Sequence, residues 1–159
     1  PIRSTFEQTR QGLTDGAVVL QETEGDRTVV FAVIGDMTLI PAFEAAEQLK
    51  AEGIGSRIVS VINPRRLYRP TDTAWDTCSE SDGGFLDDAG FEKMFGGDVL
   101  LGITGGSSAM LEPILLRTTA KRETFAWKRG ETAASAGQVM AINGITSEQF
   151  VARAKALLG

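Results

Sequence analysis

Histidine is absent from the sequence, and cysteine occurs once, at Cys78. Without histidine, the chain lacks the side chain that enzymes use most often as a general base and proteins use most often as a metal ligand. A lone cysteine excludes an internal disulfide and is typical of a reducing cytoplasm, so we expect a cytoplasmic protein. Because no histidine is present to activate it, the Cys78 thiol is predicted to be buried or idle, not a nucleophile. These absences predict a domain without catalytic residues of its own.

Excess positive charge and long apolar runs are also missing. The chain of 159 residues has 16 Lys and Arg against 21 Asp and Glu, a net charge of −5. Binding to nucleic acid or to an anionic membrane surface requires a basic face, so neither partner is expected. No run of 18 apolar residues predicts a membrane span, and no signal peptide is visible.

No metal site is predicted either. The acidic residues of the central segment, Asp72, Asp76, Glu80 and Asp82, are spaced too loosely for a calcium loop, whose ligands fall at fixed positions.

What the sequence does contain is an α/β pattern. Residues 28–34 (TVVFAVI) form an almost continuous apolar run, typical of a strand covered on both faces. A helix follows, with Thr38 predicted as its N-cap, Pro41 in its first turn and Gly53 just after its end. Residues 57–62 form the next apolar strand. Two strands joined by a helix predict a parallel sheet.

The rest of the chain extends this pattern. Strands are predicted over 17–22, 98–104 and 123–128, and the short turn at residues 25–26 predicts that the first strand pairs antiparallel at or near the second. Helices are expected after Asp87, after Ser107 or Ser108 with a kink or late start at Pro113, over 133–142, and after the capping box of Thr146 and Gln149. The predicted fold is a three-layer α/β/α sandwich with a mostly parallel sheet of about five strands. Residues 1–15 are predicted to be a connecting arm and residues 16–159 the domain, a piece of a longer protein.

Two segments resemble a known family. Residues 35–63 (GDMTLIPAFEAAEQLKAEGIGSRIVSVIN) are similar to the start of the C-terminal domain of transketolase-type thiamine diphosphate enzymes, and residues 143–159 (NGITSEQFVARAKALLG) are similar to its end. The sequence departs from the family at 132–136, where a Gly-Ser-Ala-Pro run is usual, and at Asn143, where an aromatic residue is usual. Transketolases, phosphoketolases and the decarboxylating subunits of 2-oxo acid dehydrogenases all remain open.

The resemblance implies a function. It implies a non-catalytic C-terminal domain of an enzyme that acts on ketose phosphates, a domain that supports the dimer and lies near the substrate channel. Thiamine diphosphate and Mg²⁺ are then bound by the preceding domains of two subunits, and this domain binds neither. The alternative is a free-standing α/β module that binds a small anion or a nucleotide.

Two segments are candidates for binding an anion. Gly105, Gly106, Ser107 and Ser108 follow a strand and precede a helix, where backbone N–H groups and hydroxyls can hold a phosphate or carboxylate, although a capped turn without a ligand explains the same residues. Arg65, Arg66 and Arg69 could hold a sugar phosphate or a partner's carboxylates, or else form surface ion pairs with Asp72, Asp76 or Glu80.

Three further residues are singled out with structural roles. Asp36 is expected to cap the neighbouring helix backbone, the less favoured alternative being a catalytic base. Trp75 and Trp127 are expected to be interface or core aromatics.

Overall fold

Five strands form one mixed sheet. The computed structural model describes residues 5–69, 85–128 and 134–159. The strands are β1 (Ala17–Thr23), β2 (Thr28–Ile34), β3 (Gly55–Val61), β4 (Val99–Thr104) and β5 (Lys121–Phe125), in the order β1-β3-β2-β4-β5. Strands β2 to β5 run parallel, and β1 is antiparallel to its neighbour β3. The predicted α/β class with an antiparallel first strand is therefore confirmed.

Helices cover both faces of the sheet. They are α1 (Phe6–Asp15), α2 (Asp36–Ala51), α3 (Asp88–Phe95), α4 (Glu112–Leu115), α5 (Ala136–Ile142) and α6 (Ser147–Leu158). Side chains of α2 and α6 pack on one face with alternate residues of β2 and β4, such as Phe31 and Leu101. Those of α3 and α4 pack on the other face with the intervening residues, such as Val30 and Leu100. Both faces are buried, which explains the continuous apolar run of β2.

Strand β1 is antiparallel and lies near β2, as predicted, but it does not pair with β2. Strand β3 separates them, because both edges of β2 are occupied by the parallel strands β3 and β4. The connection from β1 to β2 therefore crosses the start of β3 at close range. A Cβ atom on Gly25 would lie 2.1 Å from the Gly55 nitrogen, and one on Gly55 would lie 2.8 Å from the Gly25 nitrogen. The crossing is possible because both residues are glycines.

Helix α2 begins earlier than predicted. Thr38 is not the N-cap: Gly35 takes that position with φ 100, a conformation that glycine adopts without strain, and the helix begins at Asp36. The Thr38 hydroxyl instead donates to the carbonyls of Gly35 at 2.7 Å and Ile34 at 3.1 Å. Pro41 consequently lies beyond the first turn, inside the helix.

The buried face and the end of α2 are closer to expectation. The buried face consists mostly of small residues, with Ala42, Ala45, Ala46 and Leu49 buried, while Leu39 and Phe43 are only partly buried. The end at Gly53 (φ 77) is as predicted.

Other boundaries follow local capping. Asp87 accepts a hydrogen bond from the Gly90 N–H at 2.7 Å and caps α3 as predicted, and Pro113 lies in the first turn of α4, which confirms the late start. Strand β5 begins two residues before its predicted start, and α5 begins after Ser135, which forms a capping box with Gln138. Within the predicted arm, residues 6–15 form α1, a helix that the sequence did not indicate.

Candidate functional site

The carboxyl ends of four parallel strands form one edge of the sheet, the carboxyl edge. After β2 the chain crosses to β3, whereas after β4 it continues to β5 on the opposite side of the sheet. The gap between the ends of β2 and β4 is thus a topological switch point, where open α/β sheets bind ligands. The segment 105–108, the glycine turn, follows β4 directly at this point.

The glycine turn forms one side of a pocket. Gly105, Gly106, Ser107, Ser108 and Trp127 line an open cavity of about 440 Å³. The Gly106 N–H donates to the Thr104 hydroxyl at 3.0 Å, and the Gly106 carbonyl accepts from the Trp127 N–H at 3.0 Å. These two bonds hold the turn against β4 and against the segment that follows β5.

The two serines differ in what they offer a ligand. The Ser107 hydroxyl accepts from the Ala109 N–H at 3.3 Å as the cap of a three-residue 3₁₀ turn, Ser108–Met110. The Ser108 hydroxyl donates to Glu112 Oε1 at 2.8 Å. Within residues 5–69, 85–128 and 134–159, the N–H groups of Ser107 and Ser108 have no acceptor. Free donors and an acidic neighbour therefore lie side by side.

The arginine segment lies on the same edge but apart from the pocket. Arg65 and Arg66 belong to a 3₁₀ turn, Pro64–Leu67, after β3. Since β2 separates β3 from β4, the ends of these strands are about 10 Å apart. Arg69 pairs with Asp88 at 3.0 Å, whereas the predicted partners Asp72, Asp76 and Glu80 lie outside the described residues. The structure thus does not merge the two predicted anion sites into one.

Tyr68 links the arginine segment to the segment after the glycine turn. Its hydroxyl donates to the Met110 carbonyl at 2.9 Å. Burial raises the pKa of Tyr68 above its ordinary value, and the positive charge of Arg65 acts in the opposite direction. The phenol therefore stays protonated and keeps this hydrogen bond at neutral pH.

Arg117 was not predicted from the sequence. Its side chain is 1% exposed, and its guanidinium donates to the carbonyls of Leu67 at 2.8 Å and Leu86 at 2.9 Å and to Asp88 at 2.9 Å. It also lies 4.3 Å from the ring centre of Phe91. Hydrogen bonds from Arg117 and then Arg69 lower the pKa of Asp88. A buried arginine next to Thr118 and Thr119 gives no signal in the local sequence.

Two of the remaining predictions can be checked and the others cannot. Asp36 is the first residue of α2, not its N-cap, and its charge lies at the positive end of the helix dipole. Trp127 is 46% exposed at the pocket and is not a core residue. Trp75, Cys78 and the acidic residues 72–82 lie outside the described residues.

Clusters of metal-ligating side chains and membrane-spanning helices are both absent from residues 5–69, 85–128 and 134–159. In these three ranges, no three His, Cys, Asp or Glu side chains come together as a metal site. No described helix is both long and apolar enough to span a bilayer.

Comparisons with known proteins identify the fold. No protein-family model and no curated protein sequence matches the chain. The chain is similar in structure to transketolase from Campylobacter jejuni subsp. jejuni NCTC 11168 (TM-score 0.61, 16% identity, 90% of this chain and 19% of that one). It is also similar to transketolase from Leishmania mexicana (TM-score 0.62, 19% identity, 92% and 18%). A third similar structure is a split gene transketolase, an inactive tetramer of four beta subunits (TM-score 0.60, 18% identity, 99% of this chain and 46% of that one).

These likenesses concern the architecture. The chain spans 19% and 18% of the length of the first two proteins and 46% of the third. It has the transketolase C-terminal-like α/β fold, with its antiparallel first strand beside a parallel sheet.

Proposed function

We propose, on the premise of this transketolase-like fold, that the chain is the non-catalytic C-terminal domain of a thiamine diphosphate-dependent enzyme acting on ketose phosphates. The enzyme is of the transketolase or phosphoketolase type. The observation that carries the proposal is a fold match over 90–99% of this chain to 18–46% of the length of each longer transketolase structure. The resemblance of residues 35–63 and 143–159 to the two ends of that domain supports it independently.

The thiamine diphosphate and its Mg²⁺ are assigned to other parts of the enzyme. Carboxylates are frequent ligands of Mg²⁺ in such sites, and the described residues bring no three His, Cys, Asp or Glu side chains together. In this proposal the cofactor and its metal ion are bound by the preceding domains, and this domain takes no part in the chemical steps.

The apolar character of the carboxyl edge supports a role in packing against other domains. Met37 after β2, Met110 after β4 and Trp127 after β5 are all substantially exposed. Exposed apolar side chains that share one edge are typical of a surface that another domain covers. We propose that the preceding domains of a homodimeric cytoplasmic enzyme pack here, so that the domain supports the dimer beside the substrate channel.

The decisive test starts from the gene. The coding sequence upstream of residue 1, or a neighbouring gene, should encode a G-D-G…N diphosphate-binding motif. The complete enzyme should convert a ketose phosphate only with thiamine diphosphate and Mg²⁺, and calorimetry of the present chain with both should show no binding. Micromolar binding of the cofactor by this chain alone, or a gene context without that motif, would overturn the proposal.

A second candidate function is a free-standing α/β module that binds a small anion or a nucleotide. The observation in its favour is the pocket at the switch point, together with the N–H groups of Ser107 and Ser108, which find no acceptor in the part of the chain that the structure describes. Titration with inorganic phosphate, followed by NMR, should move the amide signals of residues 105–108. If only the amides near Arg65, Arg66 and Arg69 move, the anion site is the arginine segment.

A further inference from the structure

The size of the pocket indicates a ligand larger than a phosphate ion. Its volume of about 440 Å³ lies within the range of small-molecule sites, about 300–1,000 Å³. Inorganic phosphate displaces only a few water molecules, roughly 100 Å³ at about 30 Å³ each. A phosphate on the glycine turn would leave most of the pocket, including its Trp127 wall, without a contact.

The Trp127 wall offers a surface for a planar ring. Trp127 is 46% exposed, and it lines the pocket together with the glycine turn. Stacking of a nucleic-acid base on an aromatic side chain is strong and independent of the base, because every base has a π face. The pocket is therefore suited to an aromatic ring at this wall.

The main chain at Trp127 is held from two sides. The backbone N–H of Trp127 donates to the Gly106 carbonyl at 3.0 Å, and the backbone N–H of Lys128 donates to Asn143 Oδ1 at 2.5 Å. Asn143 is buried, and its Nδ2 donates to the Val139 carbonyl at 2.8 Å. The backbone that carries the indole is consequently attached to both the glycine turn and the end of α5.

The polar groups at the glycine turn and next to it suit a polyhydroxylated group better than a phosphate. Glu112 does not itself line the cavity, but its exposed carboxylate accepts a hydrogen bond from the hydroxyl of Ser108, which does. A carboxylate repels a phosphate dianion but accepts hydrogen bonds from hydroxyl groups, as acidic residues do from ribose in other α/β folds. The N–H groups of Ser107 and Ser108, which have no acceptor among the described residues, can donate to the same hydroxyl oxygens.

We infer that the pocket formed by the glycine turn and Trp127 binds a nucleoside, with the base stacked on Trp127 and the ribose hydroxyls at Glu112 and Ser107–Ser108. This inference rests on the second candidate function and takes the nucleoside part of a nucleotide as the group that the pocket recognises. It applies to the free-standing chain, because in the proposed thiamine diphosphate enzyme the preceding domains pack against Trp127.

The test uses the full chain with adenosine as the probe. The sequence contains two tryptophans, so Trp75→Phe leaves Trp127 as the reporter of quenching. For an open pocket we expect a Kd of roughly 0.1 mM from the ligand efficiency usual for small organic molecules. Trp127→Ala, in which NMR replaces fluorescence as the measure of binding, should bind adenosine about tenfold more weakly or worse, and Trp127→Phe should retain most of the affinity. The control Phe6→Ala removes an aromatic ring of α1 that is 80% exposed, and it should leave the affinity unchanged.

The contact between the ribose and Glu112 is tested by changing both partners, the ribose hydroxyls of the ligand and the carboxylate of the protein. In the unsubstituted chain, 2′,3′-dideoxyadenosine should bind about tenfold more weakly than adenosine. In Glu112→Gln the two ligands should bind within about twofold of each other, because the charged acceptor is lost. An unchanged difference between the ligands in Glu112→Gln overturns the assignment of the ribose.

Three other results overturn the inference as a whole. They are no binding of adenosine up to about 10 mM, equal affinity in Trp127→Ala, or amide shifts of residues 105–108 with inorganic phosphate but not with adenosine. The last result would retain the second candidate function in its simple anion form. None of them bears on the thiamine diphosphate proposal, which the gene context and the cofactor requirement test separately.

Discussion

Replacing Arg117 by methionine is expected to destabilise the protein by about 3–5 kcal/mol. The change removes a buried guanidinium that donates to the carbonyls of Leu67 and Leu86. Each hydrogen bond from a charged donor contributes about 1.5–3 kcal/mol, and both carbonyls would lose their partner. The contact with the Phe91 ring adds about 0.5–2 kcal/mol. Because Asp88 is 71% exposed, water screens its ion pair and the pair adds little, and burial of the methionine offsets part of the loss.

Equilibrium unfolding in urea, followed by circular dichroism, measures this loss. A matched control is Arg153→Met, which removes an arginine that is 50% exposed and paired with Glu123, and it should cost less than about 1 kcal/mol. Arg117→Lys keeps the charge but not the planar fork, so its loss should lie between those of the other two variants. If Arg117→Met costs no more than Arg153→Met, the guanidinium does not stabilise this part of the structure, and the reasoning is refuted.

Three other predictions concern the crossing, a cap and pH. Gly25→Ala should cost about 3 kcal/mol or prevent folding, because its Cβ meets the backbone of Gly55. The control Gly137→Ala, at a glycine with open space around it, should be neutral or stabilising by up to about 1 kcal/mol in the same urea assay. Equal losses of stability in the two variants would contradict the close approach. Asp87→Ala should cost about 0.5–2 kcal/mol by loss of the α3 cap, measured as a lower thermal midpoint, and Asp87→Asn should recover most of it. The pKa of Asp88 is lowered by Arg117 and Arg69, and the pKa of Asp98 is lowered by the Thr28 N–H and Arg27. The two carboxylates therefore stabilise the folded state fully above the ordinary aspartate pKa of about 3.9, and this contribution is lost as pH falls below it. A urea midpoint that stays constant from about pH 5 to pH 2.5 would speak against this.

The sequence was sufficient for the parts of the fold that depend on short-range patterns. The apolar run of β2, the cap at Asp87 and the stop at Gly53 all have local causes, and all three are where they were predicted. The predicted start of α2 is too late because threonine is a common N-cap residue, whereas the helix actually begins after Gly35, whose backbone conformation precedes it.

The remaining features depend on contacts between distant residues. The position of β1 beside β3 is decided by which edges of β2 are already occupied, and a short turn does not reveal this. The burial of Arg117 depends on carbonyls 50 and 31 residues away in the sequence. The glycine turn could be predicted as a candidate site, but its Trp127 wall could not, because β5 brings that residue to the turn.

The position of β1 also determines when this strand can join the sheet during folding. A chain with an adjacent β1–β2 pair could form a hairpin within microseconds, from residues that are close in sequence. In the described sheet β1 pairs with β3, and Ala17 must find Val61 after α2 and β3 have been synthesised. We therefore expect the β2–α2–β3 unit to form before β1 docks on it, and loop closure over this distance slows the docking step. Strand β1 is synthesised before the other four strands of the sheet, yet it cannot pair until β3 is present.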